Sequence, residues 1–137
     1  MFYLLKNNRI IDTSEISKNV DEIYVEKDDK GQKNLYISYY LGLKNLGVIK
    51  KKSKSVFNLI EVGDLIIGNM FDRKEDFVYM CKKIEKDKII YNDGDYEDYF
   101  NYNPKEWFLW KEERFIRKIY KPNEKGDYIK VWEKKNE

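Results

Sequence analysis

The sequence predicts a mainly β protein: a small antiparallel β-barrel of the SH3-like meander kind, with an added N-terminal hairpin region and one or two short helices. Three observations point there. Short runs rich in Ile, Val and Tyr recur along the chain, Asn, Asp, Gly or Pro bound most of them, and helical spacing of apolar residues is confined to brief stretches. Twelve Tyr, seven Phe and three Trp in 137 residues supply the apolar area a compact β core needs. That length fits a single domain, 1–137, with hairpins over 1–52 and the barrel portion and C-terminal strands over 53–137.

The elements follow in order. Phe2 to Asp12 reads as two strands around Lys6-Asn7-Asn8-Arg9, because Asn tolerates the positive φ of tight hairpins. Glu22 to Glu26 and Leu35 to Tyr40 form a second hairpin across the polar loop Lys27 to Gly31. Gly42 and Gly47 bracket a short connector that leads into Val48-Ile49 and a basic run. Ser55 caps a short helix with Val56, Leu59 and Ile60 on one face, and Gly63 ends it. Asp64 to Ile67, Phe77 to Ile84 and Lys88 to Tyr91 then pair as one meander, the last two across Glu85-Lys86-Asp87. Trp107, Trp110 and Ile116 suit a helix face, while Trp107 to Trp110 equally suits a buried strand; the reading leans to a short helix or turn over 106–117. Phe115 to Tyr120 and Tyr128 to Trp132 close the chain as strands across a Pro-, Asn- and Gly-containing loop.

The inventory argues against an ordinary enzyme. There is no histidine, the side chain best suited to move protons near neutral pH and the commonest metal ligand. No nucleophile elbow, phosphate-binding loop or paired-cysteine motif occurs, so no catalytic residue, metal site or cofactor is assigned. The single cysteine, Cys81, sits in the apolar run Phe77 to Cys81 and reads as a buried structural thiol in a reducing compartment. No run of eighteen apolar residues and no signal-peptide pattern is present, so a cytoplasmic protein without a membrane partner is expected. Twenty-seven basic against 25 acidic residues leave a net charge of +2, too little to mark a nucleic-acid binder by charge alone. Abundant amphipathic aromatics favour a binding protein, its oligomeric state left open.

Two surfaces are candidates for that binding. The segment 92–102 holds four carboxylates and four aromatics with no basic residue. Asp93, Asp95, Tyr96, Glu97, Asp98, Tyr99 and Tyr102 make a recognition surface in which acidic charge steers a basic partner and tyrosines supply contact area. Alternating acids at 93, 95 and 97 also suggest oxygen ligands for a hard cation, but the glycine and glutamate of a calcium-binding loop are out of register. A solvated loop with its aromatics folded back on the core explains the segment as well. The alternative surface is basic: Lys50, Lys51, Lys52 and Lys54 before the helix, and Arg114, Arg117, Lys118 and Lys121 interleaved with Phe115 and Tyr120, a nucleic-acid pattern of cations beside stacking platforms. Solvated strand ends account for the same lysines.

Leu59-Ile60-Glu61-Val62-Gly63-Asp64-Leu65-Ile66, the stretch Tyr120 to Trp132, and Asn8 to Thr13 resemble segments of small phage and prophage proteins of AT-rich, Clostridium-like bacteria, for which no activity is assigned. The resemblance covers about a fifth of the chain and brings no catalytic residues with it. What it implies is a mobile-element origin, and by analogy an accessory protein that binds and inhibits a host protein, a nucleic-acid-handling defence factor such as a CRISPR effector. The alternative is a small barrel that binds nucleic acid directly.

Overall fold

The structure, a computed structural model, describes residues 1–17, 20–68, 77–92 and 106–135. Among them are eleven strands in two antiparallel sheets, so the protein is mainly β. Neither sheet pairs its outer strands into a closed barrel among the described residues. The chain divides into two compact units, Met1–Leu59 and Ile60–Glu137, so the short helix expected to lead the barrel portion belongs to the first unit.

The first unit holds β1 (Phe2–Leu5), β2 (Ile10–Asp12), β3 (Glu22–Lys27), β4 (Lys33–Tyr39) and β5 (Gly42–Ser53), in the order β2-β1-β5-β4-β3. The β1–β2 turn forms as the asparagines suggest, with Asn8 at φ +69° and its amide donating to Leu5 O at 2.9 Å. A four-residue helix, α1 (Thr13–Ile16), follows β2 and is not evident in the sequence; Asp12 caps it by accepting the Ser14 amide at 3.0 Å. The connector expected between Gly42 and Gly47 is instead part of the twelve-residue β5, whose first half pairs with β4 and second half with β1. Gly47 permits this: it lies at φ +129° beside a register shift in the β4 pairing, where a β-branched residue would be strained. Leu5, Ile11 and Leu35 form a core cluster, with Tyr3, Ile16, Ile23, Leu46 and Ile49 packed against it. The expected short helix is a 3-10 turn, Val56–Leu59, with Val56, Phe57 and Leu59 buried and the Phe57 amide donating to Ser55 Oγ at 3.4 Å.

The β3–β4 loop is organised by one carboxylate. Asp28 Oδ1 accepts the Lys30 and Gln32 amides, each at 2.9 Å, and Oδ2 accepts Asn34 Nδ2 at 3.1 Å; Asn34 Oδ1 in turn accepts Asn45 Nδ2 from β5 at 3.2 Å. The Gln32 amide, above all, holds the Asp28 carboxyl below its ordinary value. A lowered folded value means the loop gains from ionised Asp28 above the ordinary carboxylate range and loses that gain as pH falls through the lowered value. The protection factors of the Lys30 and Gln32 amides, taken relative to their intrinsic exchange rates, are therefore expected to fall on acidification, and Asp28→Asn to abolish that pH dependence.

The second unit holds β6 (Leu65–Gly68), β7 (Phe77–Ile84), β8 (Lys88–Asn92), β9 (Glu106–Trp110), β10 (Ile116–Pro122) and β11 (Tyr128–Glu133), in the order β11-β10-β6-β7-β8-β9. The expected β6–β7–β8 meander forms, and β9 extends it. That corrects the helical leaning over 106–117: Leu109 pairs with Ile89 and both are fully buried, so cross-strand packing decides for the strand, and only Glu113–Phe115 makes a 3-10 turn. Ile66, Tyr79, Cys81, Tyr91 and Ile119 join them in the core, with the Tyr79 and Tyr91 ring centroids 4.1 Å apart. Burial, with Asp64 nearby, pushes the Cys81 thiol up to about 11, which leaves it an unreactive packing group.

Gly63 lies at φ +95° in the turn before β6 and has open space where a Cβ would stand. The backbone angle alone therefore sets the cost of a side chain. Gly63→Val is expected to destabilise the protein by about 1–3 kcal/mol in a urea titration.

Candidate functional site

Two places in the described residues combine chemistry with unusual exposure or burial. The first is a buried polar centre at the Glu61–Asp64 turn. Lys121, inward-facing on β10 beside Ile119, brings its ammonium 2.5 Å from Asp64 Oδ2 and 3.0 Å from Glu61 Oε1. The lysine side chain is 0 % exposed and that of Asp64 3 %. Asp64 Oδ2 also accepts the Glu61 amide at 2.8 Å, the Cys81 amide donates to Asp64 O at 2.8 Å, and the Tyr128 hydroxyl donates to Gly63 O at 2.8 Å. Strands β7, β10 and β11 thus all hold one turn. Burial raises the Asp64 carboxyl above its ordinary value, against the opposing pull of Lys121 and the Glu61 amide.

The second place is the β4–β5 hairpin tip. Tyr39 pairs with Gly42, so Tyr40 and Leu41 form a two-residue loop, and they are 92 % and 91 % exposed. Neither adopts the positive φ that two-residue hairpin loops favour, and neither is a turn former. Tyr39 and Leu43 extend the apolar surface down both strands, at 41 % and 60 % exposed. On the same face as Leu43, Tyr24 and Tyr36 stack across β3 and β4 with centroids 5.4 Å apart, which stiffens the base of the hairpin.

The sequence-derived candidates fall elsewhere. Asp93, Asp95, Tyr96, Glu97, Asp98, Tyr99 and Tyr102 lie outside the described residues. Lys50, Lys51 and Lys52 are exposed on β5 and Lys54 just beyond it, but Lys51 stands opposite Leu4 and Lys52 opposite Tyr3, so the strand's alternation splits the run between two faces. The second basic group is largely neutralised. Arg114 pairs with Glu112 at 2.9 Å and lies over the Phe115 ring, Lys118 is 3.7 Å from Glu133, and buried Lys121 cannot reach a phosphate; Arg117 remains exposed.

Sequence reading missed both places. Alternation along Ile119-Tyr120-Lys121 would have turned Lys121 inward had the strand been carried past Tyr120, and Tyr40-Leu41 between two strands was legible as an apolar turn. Among the described residues no group of three or more Cys, Asp or Glu is arranged to hold a metal ion, and no helix is long and apolar enough to cross a membrane. No protein-family model, no curated protein and no solved structure matches the chain.

Proposed function

We propose that the chain is a non-enzymatic accessory protein of the phage type that binds and blocks a host protein, one that handles nucleic acid in defence, such as a CRISPR effector. On this reading residues 53–137 carry an SH3-like small-barrel portion, in which the short helical turn Val56–Leu59 precedes the β6–β9 meander. The observation that carries the binding function is the hairpin tip. Two large apolar side chains held almost wholly in water, at the expense of turn propensity, are best explained by a partner pocket that takes them up. A narrow hairpin on a stacked tyrosine base enters such a pocket with little further loss of entropy. The acidic segment 93–102 supplies steering toward a basic, nucleic-acid-handling partner.

Tyr40→Ser together with Leu41→Ser is expected to weaken partner binding by at least about 2 kcal/mol, as loss of central anchors does. Its urea midpoint should match the parent's, since both side chains already stand in water. Parental affinity in the folded double variant would remove the tip from the interface. Direct nucleic-acid binding keeps one supporting observation, the exposed Lys51, Lys52 and Lys54, for which no ion pair occurs among the described residues.

A further inference from the structure

Lys121 and Asp64 meet where water does not reach. Two ions in a dry site repay their desolvation poorly, whereas the amide they can form by losing water is neutral. Their placement suits that reaction. With Nζ 2.5 Å from Oδ2, the amine is held in contact with the carboxyl group, and fixed contact of this kind replaces the high concentration that condensation needs in solution. Glu61 contributes twice. Its carboxylate, 3.0 Å from Nζ and 36 % exposed, can take up and return protons, and its backbone amide, 2.8 Å from Oδ2, stands where negative charge develops as the amine adds.

We propose that Asp64 and Lys121 condense into an intramolecular isopeptide bond, with Glu61 as the proton-transfer group, tying β10 covalently to the turn that precedes β6. The atoms balance without an oxidant or a co-reactant. Glu61 relays one proton from the Lys121 ammonium to the Asp64 carboxylate, giving an amine beside a carboxylic acid. Nζ adds to Cγ, and the oxyanion on Oδ2 is held by the Glu61 N–H. Glu61 then takes a second proton from nitrogen and delivers it to the Oδ1 hydroxyl, which leaves as water. The C–O bond to Oδ1 breaks, the Cγ–Nζ bond forms, and Glu61 is regenerated as the carboxylate. The retained carbonyl keeps its hydrogen bond to the Glu61 amide. Burial of Asp64, which favours its protonated form, works in the same direction.

Intact-mass spectrometry of the full chain, folded, incubated near neutral pH and then denatured, tests this directly. The expected mass is one water below that of the sequence, with peptide mapping showing a branched peptide that joins the Glu61–Asp64 segment to Lys121. Lys121→Arg and Asp64→Ala should each restore the full mass, and Glu61→Gln should slow or abolish the loss. Variants of buried groups can unfold, so the parent chain decides: a folded parent at full mass after prolonged incubation overturns the proposal. A water loss that maps to a cyclic imide at Asp93-Gly94 overturns it equally, because that dipeptide sheds water with no help from the fold.

Discussion

Lys121→Met is expected to destabilise the protein by about 3–5 kcal/mol, measured by urea unfolding. The methionine fills much the same volume, so what is lost is the link to Asp64, whether held as the ion pair or as the proposed amide. Asp64 is left buried with one backbone amide and no cation, and removing one partner of a buried pair strands the other charge. Glu61 loses the same partner but stands partly in water, which limits its share. Adding Asp64→Leu should recover part of the loss by removing the stranded charge. Recovery stays incomplete because Asp64 also accepts the Glu61 amide that shapes the turn, and because Tyr128 and Cys81 bond to that turn's backbone. A single variant as stable as the parent would mean that the pair contributes nothing to the second unit.

Gly68→Ala is expected to cost about 3 kcal/mol or more, from one methyl group. A Cβ at Gly68 would stand 2.2 Å from the carbonyl oxygen of Phe115, and it is backbone that must yield rather than a side-chain tip. Gly68 pairs with Ile116 at the start of β10, so relief of the clash opens the β6–β10 ladder that joins the meander to the C-terminal hairpin. Gly126 offers the contrast: at φ +84° with nothing near its Cβ, it carries only a conformational penalty on alanine substitution. Equal urea midpoints for Gly68→Ala and Gly126→Ala would contradict the close approach of the two strands.

Gly63 and Gly68 also show what the sequence could reveal. A glycine between a short helix and a strand signals positive φ by its local setting, and Asn8 does so in a two-strand turn; both signals proved right because they are local. Gly68 is required by Phe115, far along the chain, and no local pattern announces such a contact. Likewise β7, β8 and their turn were legible from alternation and turn residues, whereas the strand at Trp107–Trp110 was decided by a partner, Ile89, beyond the reach of any window. The long β5 hid behind its glycines: Gly42 and Gly47 read as a connector, yet one pairs with Tyr39 and the other relieves a bulge. For the site the limit was of another kind. Charge and aromatic density drew attention to 92–102 and to the lysine runs, while the hairpin tip and the buried pair stand out only once exposure is known.

Capture on the immobilised chain, from a nuclease-treated and an untreated lysate of a Clostridium-like bacterium, tests most directly whether the function is protein binding through the tip. The expected result is a host protein retained equally in both lysates by the parent chain and lost with Tyr40→Ser and Leu41→Ser. Retention that disappears with nuclease, or that persists in the folded tip variant while Lys51→Glu with Lys52→Glu abolishes it, would contradict it in favour of nucleic acid.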